Sequence, residues 1–259
     1  MKKYVLLLTA LFGMVSAQAL FAALPKDGFY FAKDPLAYSN AGTAQAAAGM
    51  SGQMVVQVQG GKIVKAEFNL VSTDAKFKDL RTSGTNKNFT AAANALEKDL
   101  ISSQNIKDHS VSGVQAAQSK MFFTLVDKAL ASQPVAKGQY KKDGWYYAKV
   151  PCTPDKEGKT WGIDDTVLLT VVNGTIVDSI WNGIINYTGY SDSKLVVSAA
   201  DSRGYPMPGK AGKWHEQAAK ADAALIKAQD PAKVDAVSGC TIHIADFLTA
   251  AKDALKDAK

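Results

Sequence analysis

Two cysteines and three histidines are all that this chain offers for thiol or soft-metal chemistry. No Cys-x-x-Cys-His run exists for haem attachment. His109, His215 and His243 show neither His-x-x-x-His nor Glu-x-x-His spacing. A zinc ion on Cys152, Cys240 and His243 would have no ligand-spacing pattern behind it. The chain also lacks a Gly-x-Ser-x-Gly elbow for a serine hydrolase and a Gly-x-Gly-x-x-Gly turn for a dinucleotide. Its lysines are scattered among acids, as in Lys252-Asp253 and Lys256-Asp257, and no basic stripe carries interleaved aromatics. Nucleic acid is therefore a poor partner. What remains is a chain of 259 residues, 47% hydrophobic and 21% charged, enough for one or two domains that each bury a core.

Long apolar runs are missing too, except at the start. Lys2 and Lys3 precede an apolar stretch from Val5 to Ala17, and Ala17-Gln18-Ala19 has the small-x-small form of a signal-peptidase site. Residues 1–19 read as a secretory signal; if uncleaved, Val5–Leu24 is long enough to act as a membrane anchor. Both readings place the body outside the cytoplasm, in a periplasmic or cell-surface setting. Removing residues 1–19 takes away only Lys2 and Lys3, so the net charge falls from +6 to +4. In such a compartment Cys152 and Cys240 are candidates for one disulfide, worth about 4–5 kcal/mol if it closes that loop. The alternative is two independent thiols, with Cys240 a small buried filler.

The chain contains itself twice. Asp27-Gly28-Phe29-Tyr30-Phe31-Ala32-Lys33 returns as Asp143-Gly144-Trp145-Tyr146-Tyr147-Ala148-Lys149. The segment from Val55 through Gly60-Gly61 to Val64 returns from Leu168 through Asn173-Gly174 to Val177. Val111-Ser112-Gly113 returns as Val237-Ser238-Gly239, each before a helical pattern that ends Ala-Leu. The order is the same in both copies, which marks a tandem duplication. Each repeat is expected to open on an aromatic strand (Gly28–Ala32, Gly144–Lys149) and continue into a hairpin, since Asn-Gly and Gly-Gly supply the positive φ of a tight turn. Helices are predicted over Phe89–Ser102 and Lys120–Ala131, then over Trp214–Gln229 and Ile242–Ala258. The fold class is α+β, two tandem repeats that each pack a small antiparallel sheet with helices. The boundaries are 24–132 and 143–259, with a linker at 133–142 broken by Pro134 and Gly138.

The second repeat ends in Asp235-Ala236-Val237-Ser238-Gly239-Cys240-Thr241, followed by a helical pattern. A hydroxyl after a glycine turn, at the mouth of a helix, suits a phosphate group. With Asp-Gly-x-Tyr and the glycine hairpin before it, this segment resembles the Asp-x-x-Ser-Gly-Ala-Thr signature of the FMN-binding domain family. The resemblance spans Asp143 to Leu255 and covers the first repeat in outline. It implies FMN attached to Thr241 through its phosphate by a flavin transferase using FAD. Asp235, Ser238 and Gly239 would be parts of the recognition motif. Two letters depart from the family: Cys240 stands for alanine, and His243 for a common Ser or Thr. His243 could donate to a phosphate oxygen or be a surface histidine of the first helical turn. Ser238 and Thr241 could also be plain helix caps.

In the first repeat the aligned segment is His109-Ser110-Val111-Ser112-Gly113-Val114-Gln115, so an amide replaces the acceptor hydroxyl and that repeat is expected to carry no covalent FMN. Tyr205, Met207 and Trp214 could wall the flavin or, for Trp214 above all, fill the core. The expected function is an extracytoplasmic flavoprotein electron carrier serving a membrane electron-transfer complex or another redox carrier, rather than a stand-alone enzyme. The alternatives are a periplasmic or surface structural or binding protein of the membrane-immunogen type that has lost its flavin, and non-covalent FMN at the same place.

Overall fold

The computed structural model describes residues 24–34, 50–72, 81, 86–160, 162–186, 212 and 214–259. The expected signal or anchor over residues 1–19 and the side chains of Tyr205 and Met207 lie outside these residues, as does the side chain of His215. The architecture is α+β. Strands β1 (Gly28–Lys33), β2 (Met50–Gln59) and β3 (Lys62–Ser72) form an antiparallel sheet in the order β1-β2-β3. Helices α1 (Lys87–Ser103) and α2 (Ala116–Leu130) follow. The pattern then repeats as β4 (Gly144–Val150), β5 (Gly162–Val172), β6 (Thr175–Asn186), α3 (Trp214–Ala228) and α4 (Ala245–Ala254), with β4-β5-β6 as the second sheet. No helix among the described residues is long and apolar enough to cross a membrane.

Local chemistry accounts for the elements. Asn173 and Gly174 have φ of 51° and 73°, and Gly60 and Gly61 have 60° and 70°, as two-residue hairpin turns require. Asn86 caps α1 by accepting from the Phe89 N–H at 3.0 Å. Two expected helix starts move. α2 begins at Ala116, four residues before the expected Lys120, because Ala-Ala-Gln-Ser continues a helix without adding to the apolar stripe. α4 begins at Ala245, with Ile244 as its cap residue and no side-chain cap. Ser238 and Thr241 therefore do not cap that helix.

The duplication is visible bond by bond. Asp27 accepts from the N–H groups of Gly60 and Gly61, and Asp143 accepts from those of Asn173 and Gly174. Tyr30 O–H donates to the Lys26 carbonyl, and Tyr146 O–H to that of Lys142. Gln104 accepts from Ile63 N–H and Gln229 from Ile176 N–H, each Gln at the end of its helix with φ near 57°. Glu97 accepts from Phe68 N–H and Asp222 from Trp181 N–H. Phe68 meets Phe89 and Phe122 at 5.4 and 5.6 Å, while Trp181 meets Trp214 and Phe247 at 5.0 and 4.7 Å.

Each strand alternates between a helix-facing side and the opposite side. Met54, Val56 and Phe68 pack with α1 and α2, and Val167, Leu169 and Trp181 pack with α3 and α4. The opposite faces meet each other: Val71 packs with Leu168 and Ile180, flanked by Trp145 and Tyr147. A polar seam accompanies this small apolar patch. Gln53, fully buried, donates to Asp178 at 2.6 Å and accepts from Trp145 Nε1 at 2.7 Å and Thr170 Oγ1 at 2.8 Å. Lys33 forms an ion pair with the buried Asp178. The predicted linker is fastened rather than loose. Val135 N–H donates to Phe29 O, Gly138 N–H to Asn173 O, and the buried Tyr140 reaches Gln229 O at 2.9 Å.

Candidate functional site

Asp235 to Thr241 form an exposed turn between the 3-10 turn Pro231–Lys233 and α4. Gly239 adopts φ 70°, a left-handed conformation that favours glycine, and Cys240 N–H closes the turn onto Val237 O at 3.1 Å. Thr241 is exposed. Its N–H donates to Gln217 Oε1 at 2.6 Å and its hydroxyl donates to the same oxygen at 3.0 Å, with Ile242 N–H third at 3.3 Å. Gln217, on the first turn of α3, is fully buried and is held through Nε2 by Gly212 O at 3.0 Å. Gln217 Oε1 takes all three donors and so fixes the position of Thr241, whose exposed hydroxyl is the group on this turn that a phosphate could esterify. Lys220 Nζ, 2.9 Å from Gly239 O, adds a cation beside the turn.

Thr241 stands on the rim of a cleft of about 530 Å³, lined among others by Asp165, Trp181, Trp214, Ile242, His243 and Asp246. That volume lies within the range of small-molecule sites, about 300–1,000 Å³. Trp214 is only 4% exposed, so it both fills the core and walls the cleft. His243 is exposed on the rim. Asp165 comes from the helix-facing side of β5, where its Oδ1 accepts from Trp181 Nε1 at 2.6 Å. Burial pushes its carboxyl up to about 6, with Asp246 and Asp164 adding to the rise, while the Trp181 bond and His243 act against it.

Neither a family model nor a curated protein matches the chain. Two solved structures are similar to it. One is a Clostridium thermocellum protein solved by NMR, 35% identical over 46% of this chain and 93% of its own, with TM-score 0.32. The other is a Clostridium perfringens protein solved by crystallography, 21% identical over 40% of this chain and 85% of its own, with TM-score 0.28. Neither is described by an activity or a ligand.

The motif residues divide. Thr241 and His243 reach the cleft, while Asp235, Ser238 and Gly239 shape the exposed turn beside it. Cys240 is half-buried and does not line the cleft: its thiol points to Ile242 O at 3.8 Å, and burial raises its pKa. Of the two readings left open for the cysteines, the disulfide is not formed. Cys152 and Cys240 are both free thiols, and Cys152 lies on the cleft wall against Gly162. Asp165, Trp181 and Gln217 are the residues that sequence reasoning missed. The available signals were a carboxylate on the core side of a buried strand and a glutamine on the buried face of α3.

Among the described residues the equivalent place in the first repeat is filled, and the equivalences show by what. Where the second repeat has Asp165, Asp246 and Ala250, the first has Gly52, Met121 and Leu125. A Cβ on Gly52 would stand 2.7 Å from Leu125 Cδ1, 3.0 Å from Asp34 Oδ2 and 3.5 Å from Met121 Sδ, so that space is filled by two apolar side chains and by a carboxylate that is paired with Lys128. Gln217 corresponds to Ala92, and Thr241 to Gln115, which is the N-cap residue of α2. His109, at the place of Asp235, is tied to the Lys107 carbonyl at 2.7 Å and to Asp99 at 2.8 Å, and these bonds raise its pKa.

Proposed function

We propose that the protein is an exported electron carrier that holds one FMN in the cleft of its second repeat, joined through its phosphate to Thr241. The single observation that carries this reading is the exposed Thr241 hydroxyl, held by a buried glutamine on the rim of a tryptophan-walled cleft. The resemblance of Asp235–Thr241 to the FMN-binding signature supplies the identity of the group. In the attachment step Thr241 Oγ1 forms a bond to the FMN phosphorus of FAD, the P–O–P link breaks, and AMP leaves while the hydroxyl proton passes to a base of the transferase. Bound FMN supplies one- and two-electron redox chemistry. The chain's own residues hold and shelter it. Gln217 takes the Thr241 and Ile242 N–H groups and so positions Thr241, Lys220 beside the turn favours the phosphate charge, and Trp181 and Trp214 exclude water from one wall. Electrons would pass to or from a membrane electron-transfer complex or another carrier.

The test is the mass and colour of the full chain co-produced with a flavin transferase. We expect a yellow protein heavier by one FMN less one water, an addition lost in Thr241→Ala and kept in Gln115→Ala. A colourless protein of unmodified mass overturns the reading in favour of a structural or binding role.

A further inference from the structure

We propose that Asp165 reads a ring N–H on the occupant of the cleft, which in the flavin reading, on which this inference rests, is the imide N–H of the isoalloxazine. Asp165 is 8% exposed and lines the cleft. Trp181 Nε1 donates to Oδ1, and no donor among the described residues serves Oδ2. No cation among the described residues pairs with it either. Asp246 and Asp164 are the carboxylates that act on it, and Lys149 is engaged by Asp164 rather than by Asp165. His243 stands on the rim of the same cleft.

A buried carboxylate with an open oxygen is costly unless something donates to it. The fold does not require it. The first repeat builds the same strand, register and aromatic cluster with Gly52 at the equivalent position, where Leu125, Met121 and the Lys128-paired Asp34 close the space. In the second repeat that filled space is a cavity, and the carboxylate at its wall is Asp165, bonded to the indole N–H of Trp181 rather than paired with a lysine. A flat heteroaromatic ring that enters beside Trp181 and Trp214 meets Asp165 with its edge, and a carboxylate acceptor selects a ring that carries N–H there.

The probes are FMN and N3-methyl-FMN, in which a methyl group replaces the imide hydrogen. Each is titrated into full-length Thr241→Ala, made without a transferase, and binding is read from the quenching of flavin and tryptophan fluorescence. We expect FMN to bind about 10-fold or more tightly than the methylated analogue, because the analogue leaves the carboxylate without its donor. Asp165→Leu in the same background should bring the two affinities together. Asp165→Asn keeps the size and the acceptor for Trp181, and it should narrow the gap if the leucine variant fails to fold. Equal affinities in the parent protein, or a gap that survives both substitutions, overturn the role of Asp165 and leave the flavin reading standing. Failure of both probes to bind, together with no mass addition in the transferase experiment, overturns the flavin reading and this inference with it.

Discussion

Asp165 shows what one side chain contributes against stability. Its carboxyl ionises near 3.8 when unfolded and at about 6 in the fold, where burial disfavours the charge. The folded state thus binds the proton more tightly. The stabilisation from protonated Asp165 is complete below pH 3.8 and is lost as the pH rises through 6. A shift of about two units corresponds to roughly 3 kcal/mol at neutral pH. Asp165→Asn keeps the acceptor for Trp181 and removes the charge, so it should unfold at higher urea than the parent at pH 7, by up to about 3 kcal/mol. The two proteins should converge near pH 4. Equal stabilities at pH 7 would refute the account. A group that weakens the fold at working pH is a common mark of a ligand site.

At the scale of elements, the turn before α4 is organised by α3. Gln217 takes the N–H groups of Thr241 and Ile242, so the chain is drawn toward α3 before the helix starts at Ala245. Gln217→Ala copies the first repeat's Ala92 and leaves three donors without their common acceptor, at a cost of about 1–3 kcal/mol. We expect flavin loading by the transferase to fall about 10-fold or more while far-ultraviolet circular dichroism stays unchanged. Gln217→Glu keeps an acceptor oxygen and should recover most of the loading. Equal loading in the alanine variant would show that Thr241 needs no positioning from α3.

For the whole molecule, the seam between the sheets decides whether two repeats behave as one body. Gln53, on the first sheet, has its polar partners Trp145, Thr170 and Asp178 on the second, and the buried Asp178 is held by both Gln53 and Lys33 of the first sheet. Gln53→Ala should cost about 2–4 kcal/mol, since it strips a donor from a buried carboxylate and an acceptor from an indole. The linker strengthens the union: a Cβ on Gly138 would stand 2.0 Å from the Gly174 carbonyl, so even alanine forces the linker off the second hairpin. Calorimetry of the full chain should therefore show a single unfolding transition. Two resolved transitions would mean that the seam and linker do not couple the repeats.

By itself the sequence determined what depends on near neighbours. The duplication, the hairpin turns at Gly60-Gly61 and Asn173-Gly174, and the existence of four helices follow from periodicity and turn chemistry, which act over a few residues. The Asp235–Thr241 motif and its altered counterpart at His109–Gln115 were legible for the same reason, and they named Thr241 and separated the two repeats. Only the tertiary structure decided what Thr241 is near. Asp165 lies on a strand and Gln217 on a helix, and neither has a local pattern that points to Thr241, because closure of the fold brings them together. The joining of the two sheets was equally hidden: residues such as Gln53 and Thr170 read as the solvent side of a strand until the partner sheet covers them. The start of α4 and the free state of Cys152 and Cys240 belong here as well, since each is set by contacts between segments far apart in the chain.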